Sequence, residues 1–404
     1  MSTISSARRF RRALAAGAVL SVAISLAACS SDAESEETEE TESSGSSAPA
    51  AEAGSALDLA DSCPATVVMQ QDWQPEAEHG AMYALVGDDY TIDTEVKSVT
   101  GTLVAQGVDT GVDIEVRPGG PNVNFQPVPA LMYLDEDILI GAVNTDAAIV
   151  AADGQPTVAV TSQLTYSPQI LMWDPESHDG AETIAEAAAD GAPVVTAGDV
   201  IPNLLLSQGL IEQSQIDLSY EGTPSRFVSD PSILQQGFAT AEPYIYENEL
   251  EDWGKPVGYQ LVSDVGYSIY PEPLAVRADA IDEYSECLSK LVPIMQQSQI
   301  DFLNDPDYGI ALIVELVEAY DTGWTYSKEV AEFSVEQQMA LGIVENDPAS
   351  GVFGQIDGDR MQAIADDFMP FLVTAGSISQ ADADAIDIES LYSNEFIDSG
   401  IAIN

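Results

Sequence analysis

A short β-branched run, Val67-Val68-Met69-Gln70-Gln71, stops at Asp72-Trp73-Gln74-Pro75-Glu76-Ala77-Glu78-His79, and apolar residues then resume at helical spacing in Ala81-Met82-Tyr83-Ala84-Leu85-Val86. The first run suits a buried strand and the last the opening turns of a helix. Pro75 fixes its own φ and holds Gln74 out of the α region, so no helix starts before it, while Glu76 and Glu78 suit the positive end of the helix that follows. The stretch is therefore a strand-to-helix knuckle, and a chain built from such units folds in α/β layers. In open α/β sheets, turns at the carboxyl ends of strands are where ligands bind. Plugging the end of a core is the other role open to Trp73 and His79.

Residues 1–28 stand outside that body. Arg8, Arg9, Arg11 and Arg12 precede a largely apolar run over 13–28 that closes on Leu26-Ala27-Ala28-Cys29, the layout of a secretory signal followed by a cysteine. The Leu-Ala-Ala-Cys junction resembles a bacterial lipoprotein box, which implies cleavage before Cys29 and lipid on its thiol and new amino group. Residues 30–54 are mostly Ser, Glu, Thr, Ala and Gly, with no aromatic, so 29–60 is expected as a disordered tether. No other apolar run approaches the length of a bilayer span. The body is thus expected to be exported and held by the lipid on Cys29 at the outer face of the cell membrane.

The whole chain carries 12 basic against 68 acidic residues, net −56, and losing the signal removes four arginines and no acid, leaving −60. Such a surface repels nucleic acid and anionic lipid, and its self-repulsion opposes compactness at low salt. It fits a saline or alkaline exterior. Two cysteines remain after lipidation, Cys63 ahead of the first strand and Cys287 in a helix far along the chain. In an exported protein such a pair is expected as a disulfide.

Taken in order, 98–104 and Val112-Asp113-Ile114-Glu115-Val116 alternate as strands, and Arg117-Pro118-Gly119-Gly120-Pro121-Asn122 turns the chain. A strand over 137–143 leads into Asn144 and Thr145, which can meet a ligand or cap the following helix. Residues 156–173 are nearly continuous strand material, and a second βαβ series follows to 220. Asp230-Pro231-Ser232-Ile233-Leu234-Gln235-Gln236 reads as a capped helix. The next stretch, Gly237-Phe238-Ala239-Thr240-Ala241-Glu242-Pro243-Tyr244-Ile245-Tyr246-Glu247, repeats the knuckle: short strand, turn with Glu and Pro, helix with aromatics. Two such turns face to face line a cleft. After Arg277 the pattern is helical, over 281–302, 308–320, 334–342, 358–374 and 388–397.

With these parts in place the chain resembles a solute-binding lipoprotein of a bacterial ABC importer. Asp72-Trp73-Gln74-Pro75-Glu76-Ala77-Glu78-His79-Gly80 is similar to the W-x-P-x-x-x-H opening of the family that binds thiamine-pyrimidine precursors, whose relatives bind nitrate, sulfonates and taurine. Gly237 to Tyr246 is similar to the G-x-x-x-x-E-P stretch in that family's second lobe. The resemblance covers roughly 61–300 and implies an α/β, two-lobed periplasmic-binding-protein fold, with the ligand in a cleft between lobes and the C-terminal helices packed on lobe one. On this reading 61–172 open lobe one, 173–266 form lobe two and 267–404 return, with the exit near Trp173 and the return at 267–273. The implied partners are a small-molecule ligand and a membrane permease with a cytoplasmic ATPase; the implied state is a monomer without a cofactor that closes on a hinge.

The residue types narrow the ligand. Trp73, Trp173, Tyr244, Tyr246 and Tyr267 offer faces to sandwich a heteroaromatic ring. Glu76 and Glu242 accept from an amino group or a protonated ring nitrogen, His79 donates or accepts, and Asn144 and Thr145 add neutral polar groups. A nitrate, sulfonate or taurine calls for charge-assisted donors such as Arg, and both knuckles carry carboxylates instead. A thiamine-type pyrimidine is favoured and riboflavin stands second. With His79 and His178 the only histidines, a His-rich metal site is excluded and no metal is expected; there is no phosphate loop either. The same fold occurs in a fungal enzyme family that makes the thiamine pyrimidine. That family relies on a cysteine-rich motif and a lysine that holds pyridoxal phosphate, and this chain has no cysteine cluster, so catalysis is not expected.

Overall fold

The computed structural model describes residues 47–404 apart from Glu221; the signal and Cys29 lie outside the described residues. The chain first lays down β1 (Thr66–Gln70), β2 (Thr91–Asp93), β3 (Ser98–Ala105), β4 (Val108–Arg117), β5 (Ile138–Ala142) and β6 (Thr157–Thr161). It then builds β7 (Gln169–Trp173), β8 (Val194–Val195), β9 (Ile216–Asp217), β10 (Leu234–Phe238) and β11 (Gly258–Leu261), and returns through β12 (Leu274–Arg277). Among the described residues two sheets form, in the orders β2-β3-β4-β1-β5-β12-β6 and β11-β7-β10-β8-β9.

Burial explains each strand's composition. β5 is buried along its whole length and reads Ile-Leu-Ile-Gly-Ala, as a strand covered on both faces should. β4 alternates between buried and solvated positions and pairs antiparallel with β3 across Gln106-Gly107, whose φ values of 52° and 75° suit a two-residue hairpin turn. β1 lies between β4 and β5 and is parallel to both, so the carboxyl ends of all three open onto one edge.

Three sequence expectations change. The fold begins before residue 61: Ala51 N–H donates to Asp109 O at 2.8 Å, Asp109 N–H donates to Pro49 O at 3.0 Å, and Leu59 is fully buried. Poor in aromatics as it is, 47–60 gains order from Leu57 and Leu59 and from backbone pairing to the part of β4 that extends beyond β1. Second, the capped helix over 230–236 is a turn entering β10. Asp230 accepts from Ser232 N–H and Oγ–H, and Leu234 onward pairs with β7 and β8, so sheet pairing overrides local propensity. Third, the apolar run over 156–173 is divided between the sheets, with 162–168 crossing from one to the other, so lobe two starts with Gln169 rather than at 173.

Helices Ser285–Asn304, Asp307–Tyr320 and Lys328–Ala340 pack around the knuckle on lobe one. Gly358–Ala375 rests on both Thr145–Ala151 of lobe one and Val200–Ser207 of lobe two. Where the two crossings meet, Arg360 Nη2 donates to Thr165 O at 2.6 Å and to Ser268 O and Ile269 O at 3.1 Å, and its guanidinium lies 3.9 Å from the Tyr270 ring centre. Cys63 and Cys287 are disulfide-bonded. No helix among the described residues is long and apolar enough to cross a membrane.

Candidate functional site

The knuckle is held by backbone pairing to the turn after β4. Gln71 N–H donates to Arg117 O at 2.8 Å, Gly119 N–H to Trp73 O at 2.7 Å and Gly120 N–H to Asp72 O at 2.9 Å. Glycine is required here: a Cβ on Gly119 would lie 2.4 Å from Asp72 C and Gln71 O, and Gly120 has φ 59° with the Trp73 ring at 2.8 Å. From the other side the loop at 322–326 buttresses it. Thr322 Oγ1–H donates to Gln74 Oε1 at 2.8 Å, Trp324 Nε1–H to Pro75 O at 3.3 Å, and Ala77 N–H to the Tyr326 hydroxyl at 3.1 Å.

Outside the carboxyl ends of β1, β4 and β5 lies a cavity of about 160 Å³. Trp73 and Phe125 flank it with ring centres 6.0 Å apart and planes at 47°, and Val128, Pro129 and Val143 extend its apolar wall. Its polar edge is Asp72, Asn144 and Gln126, and among the described residues no Lys or Arg lines it. Phe125, 66% exposed at φ 57°, forms the rim.

Behind Asp72 sits an acidic cluster around one imidazole. His79, 1% exposed, places Nε2 2.9 Å from Glu272 Oε2 and 3.2 Å from Asp72 Oδ1. Asn144 joins the two carboxylate residues, its Nδ2 donating to Asp72 Oδ2 at 3.0 Å and its Oδ1 accepting Glu272 N–H at 3.1 Å. Glu272, between Pro271 and Pro273 on the return crossing, is held at φ 53°. Burial disfavours charge on His79, yet the Glu272 and Asp72 carboxylates hold its imidazole well above the usual range. Burial, reinforced by Asp72, pushes Glu272 up to about 7. Burial and then Glu78 raise Glu76 in the same way. Asp72, His79 and Glu272 are also a set whose ligand atoms lie within 4.8 Å of one another, close enough to share a metal ion.

The residues singled out in the sequence separate accordingly. Trp73 and Asn144 border the cavity. Glu76 and His79 lie in the acidic cluster behind it, and Glu76 makes no side-chain cap bond. Thr145 is buried, exchanging hydrogen bonds with the Tyr270 backbone at 3.0 and 3.2 Å; neither it nor Asn144 caps the helix with its side chain. Trp173 is a core residue of β7, 1% exposed. Tyr267 packs on Phe368 and donates to Asp146 at 3.4 Å. In the second knuckle Glu242 turns back to accept Phe238 N–H at 2.6 Å, Tyr244 packs on Phe333 at 5.4 Å, and Tyr246 is buried against Phe227. Burial, opposed by that Phe238 bond, lifts Glu242 to about 7, and Glu78 adds to the rise.

Four contributors escaped the sequence reading: Asp72, Phe125, Glu272 and Trp324. Asp72 was visible inside the motif, and the doubled proline around Glu272 marks an unusual backbone. Phe125 and Trp324 carry no local signal.

No protein-family model matches the chain, and no curated protein matches it in sequence. Solved structures do resemble it. The periplasmic aliphatic sulphonate binding protein SsuA from Escherichia coli superposes with a TM-score of 0.50, at 11% identity over 81% of this chain and 92% of that one. The alkanesulfonate-binding protein SsuA from Xanthomonas axonopodis pv. citri, bound to MOPS, gives 0.45 at 12% identity over 79% and 98%. A Candida albicans gene product described as having the generic periplasmic binding protein structural fold gives 0.43 at 12% identity over 83% and 98%. With its two sheets, its double crossing and the likeness to the Escherichia coli protein, the chain has the periplasmic-binding-protein fold.

Proposed function

We propose that the protein is the extracytoplasmic, lipid-anchored binding component of an importer, and that it presents a small nitrogen-bearing ring, a thiamine-type pyrimidine foremost, to a membrane permease. The observation that carries the reading is the cavity at the carboxyl edge of β1, β4 and β5, with aromatic walls from Trp73 and Phe125 and an acidic polar edge. A crevice at that edge, beside the strand on which the sheet order turns, is where open α/β sheets take ligands. Its volume of about 160 Å³ suits a single ring, since an apolar cavity of about 150 Å³ takes benzene. Asp72 and Asn144 at the edge accept hydrogen bonds from amino groups and favour a cation, whereas a nitrate or sulfonate meets no Lys or Arg in the lining.

A thermal-shift and calorimetric screen of an aminopyrimidine, riboflavin, nitrate and an alkanesulfonate tests this, because a ligand bound only by the folded state raises the melting temperature. The aminopyrimidine should stabilise the protein, and Trp73→Ala should weaken it at least tenfold while the variant stays folded. Stabilisation by the sulfonate or nitrate without any by the aminopyrimidine overturns the reading.

A further inference from the structure

We propose that Asp72, His79 and Glu272 form a binding site for a divalent transition-metal ion of the zinc class. The site goes beyond the ligand reading, because metal binding is measured on protein without any organic ligand.

His79 Nε2, Asp72 Oδ1 and Glu272 Oε2 are all buried, Nε2 lies 2.9 and 3.2 Å from the two oxygens, and neither oxygen has another hydrogen-bond donor among the described residues. His79 Nδ1, also buried, has no hydrogen-bond partner among the described residues, which is costly. A single N–H shared between two carboxylate oxygens satisfies each only in part. An ion serves all three atoms at once: bonds of about 2.0–2.2 Å set neighbouring ligand atoms roughly 3.0–3.5 Å apart, close to the 2.9 and 3.2 Å from Nε2 to the two oxygens, and all three ligand atoms lie within 4.8 Å of one another.

The surroundings suit such an ion. Asn144 holds Asp72 through its amide nitrogen and the Glu272 backbone through its amide oxygen, so both carboxylate residues are oriented by one side chain that is itself no ligand. Two carboxylates and one neutral imidazole neutralise a divalent charge. The imidazole favours zinc over calcium or magnesium, which take oxygen ligands. Asp72 and Glu272 are 23% and 12% exposed and give the ion an entry path, while His79 closes the inner side. Three protein ligands leave further positions open, and Asp72 also borders the cavity. Because Glu272 belongs to the return crossing and the other two ligands to the knuckle, the ion would fasten that crossing to lobe one.

The test uses the full-length protein, stripped with chelator, desalted and titrated with Zn²⁺ in calorimetry, with elemental analysis after a second desalting. Retention of one tight equivalent is expected, with Ca²⁺ and Mg²⁺ failing to displace it. Glu272→Gln keeps the backbone N–H that bonds Asn144 and should weaken zinc binding at least tenfold, as should His79→Gln, with circular dichroism unchanged from the parent's. No retained zinc overturns the proposal. So does retention unchanged in a folded Glu272→Gln protein, which would place the ion on the acidic surface instead.

Discussion

The two knuckles carry nearly the same string of residue types and end in opposite conditions. At Asp72 to His79 the turn is clamped by its backbone to Gly119 and Gly120, and this frees Trp73 and Asp72 to border a cavity. At Gly237 to Tyr246 the side chains serve the turn: Glu242 ties back to Phe238 N–H, and Tyr246 is 2% exposed with its hydroxyl on Gln235. What separates them is who satisfies the backbone. At the first knuckle another loop takes the backbone carbonyls of Asp72 and Trp73; at the second Pro168 O accepts Ala239 N–H, yet Phe238 N–H still draws in the Glu242 side chain.

The sharpest break of this contrast is a pair of aromatic truncations. Tyr246→Ala should cost about 3–5 kcal/mol, as removal of a fully buried ring does, whereas Trp73→Ala, half-buried, should cost under about 2 kcal/mol. Denaturant unfolding decides it, and equal losses would mean that both knuckles are core. Next comes Glu242. Its folded value near 7 lies above that of an unfolded glutamate, so the folded state keeps a proton that the unfolded chain gives up. The stability this provides is complete below about pH 4.5 and is lost as pH rises through about 7. Glu242→Gln, neutral at every pH, should therefore match the parent at about pH 4 and exceed it by about 2 kcal/mol at about pH 8, a figure discounted for partial exposure. Melting curves across that range check the sign, and a variant less stable at the higher pH would show that Glu242 works as an anion. The smallest effect should come from the buttress: Thr322→Val removes the bond to Gln74 and should cost about 1 kcal/mol. If the buttress frees the knuckle for binding, ligand affinity should fall with it in calorimetry; an unchanged affinity would confine Thr322 to packing.

Legibility followed the range of the interactions. The first knuckle could be read because Pro75, the β-branched run and the two glutamates act within a few residues. The disulfide could be read from export and cysteine count. Glu272 could not, because only the double crossing brings it to His79, and Trp324 reaches the knuckle only through the helical tail. Thr145, Trp173 and Tyr267 have the residue types of a ligand site and are spent on the crossing and the cores. Residue type alone does not separate those uses.

The disulfide has a topological consequence. Cys63 and Cys287 are 224 residues apart and both lie in lobe one, so every strand of lobe two and both crossings sit inside one covalent ring. A single backbone cut in lobe two opens that ring without releasing either half. Integrity after nicking is therefore governed by the thiol–disulfide poise of the surroundings, and under oxidising conditions a clipped molecule remains one molecule.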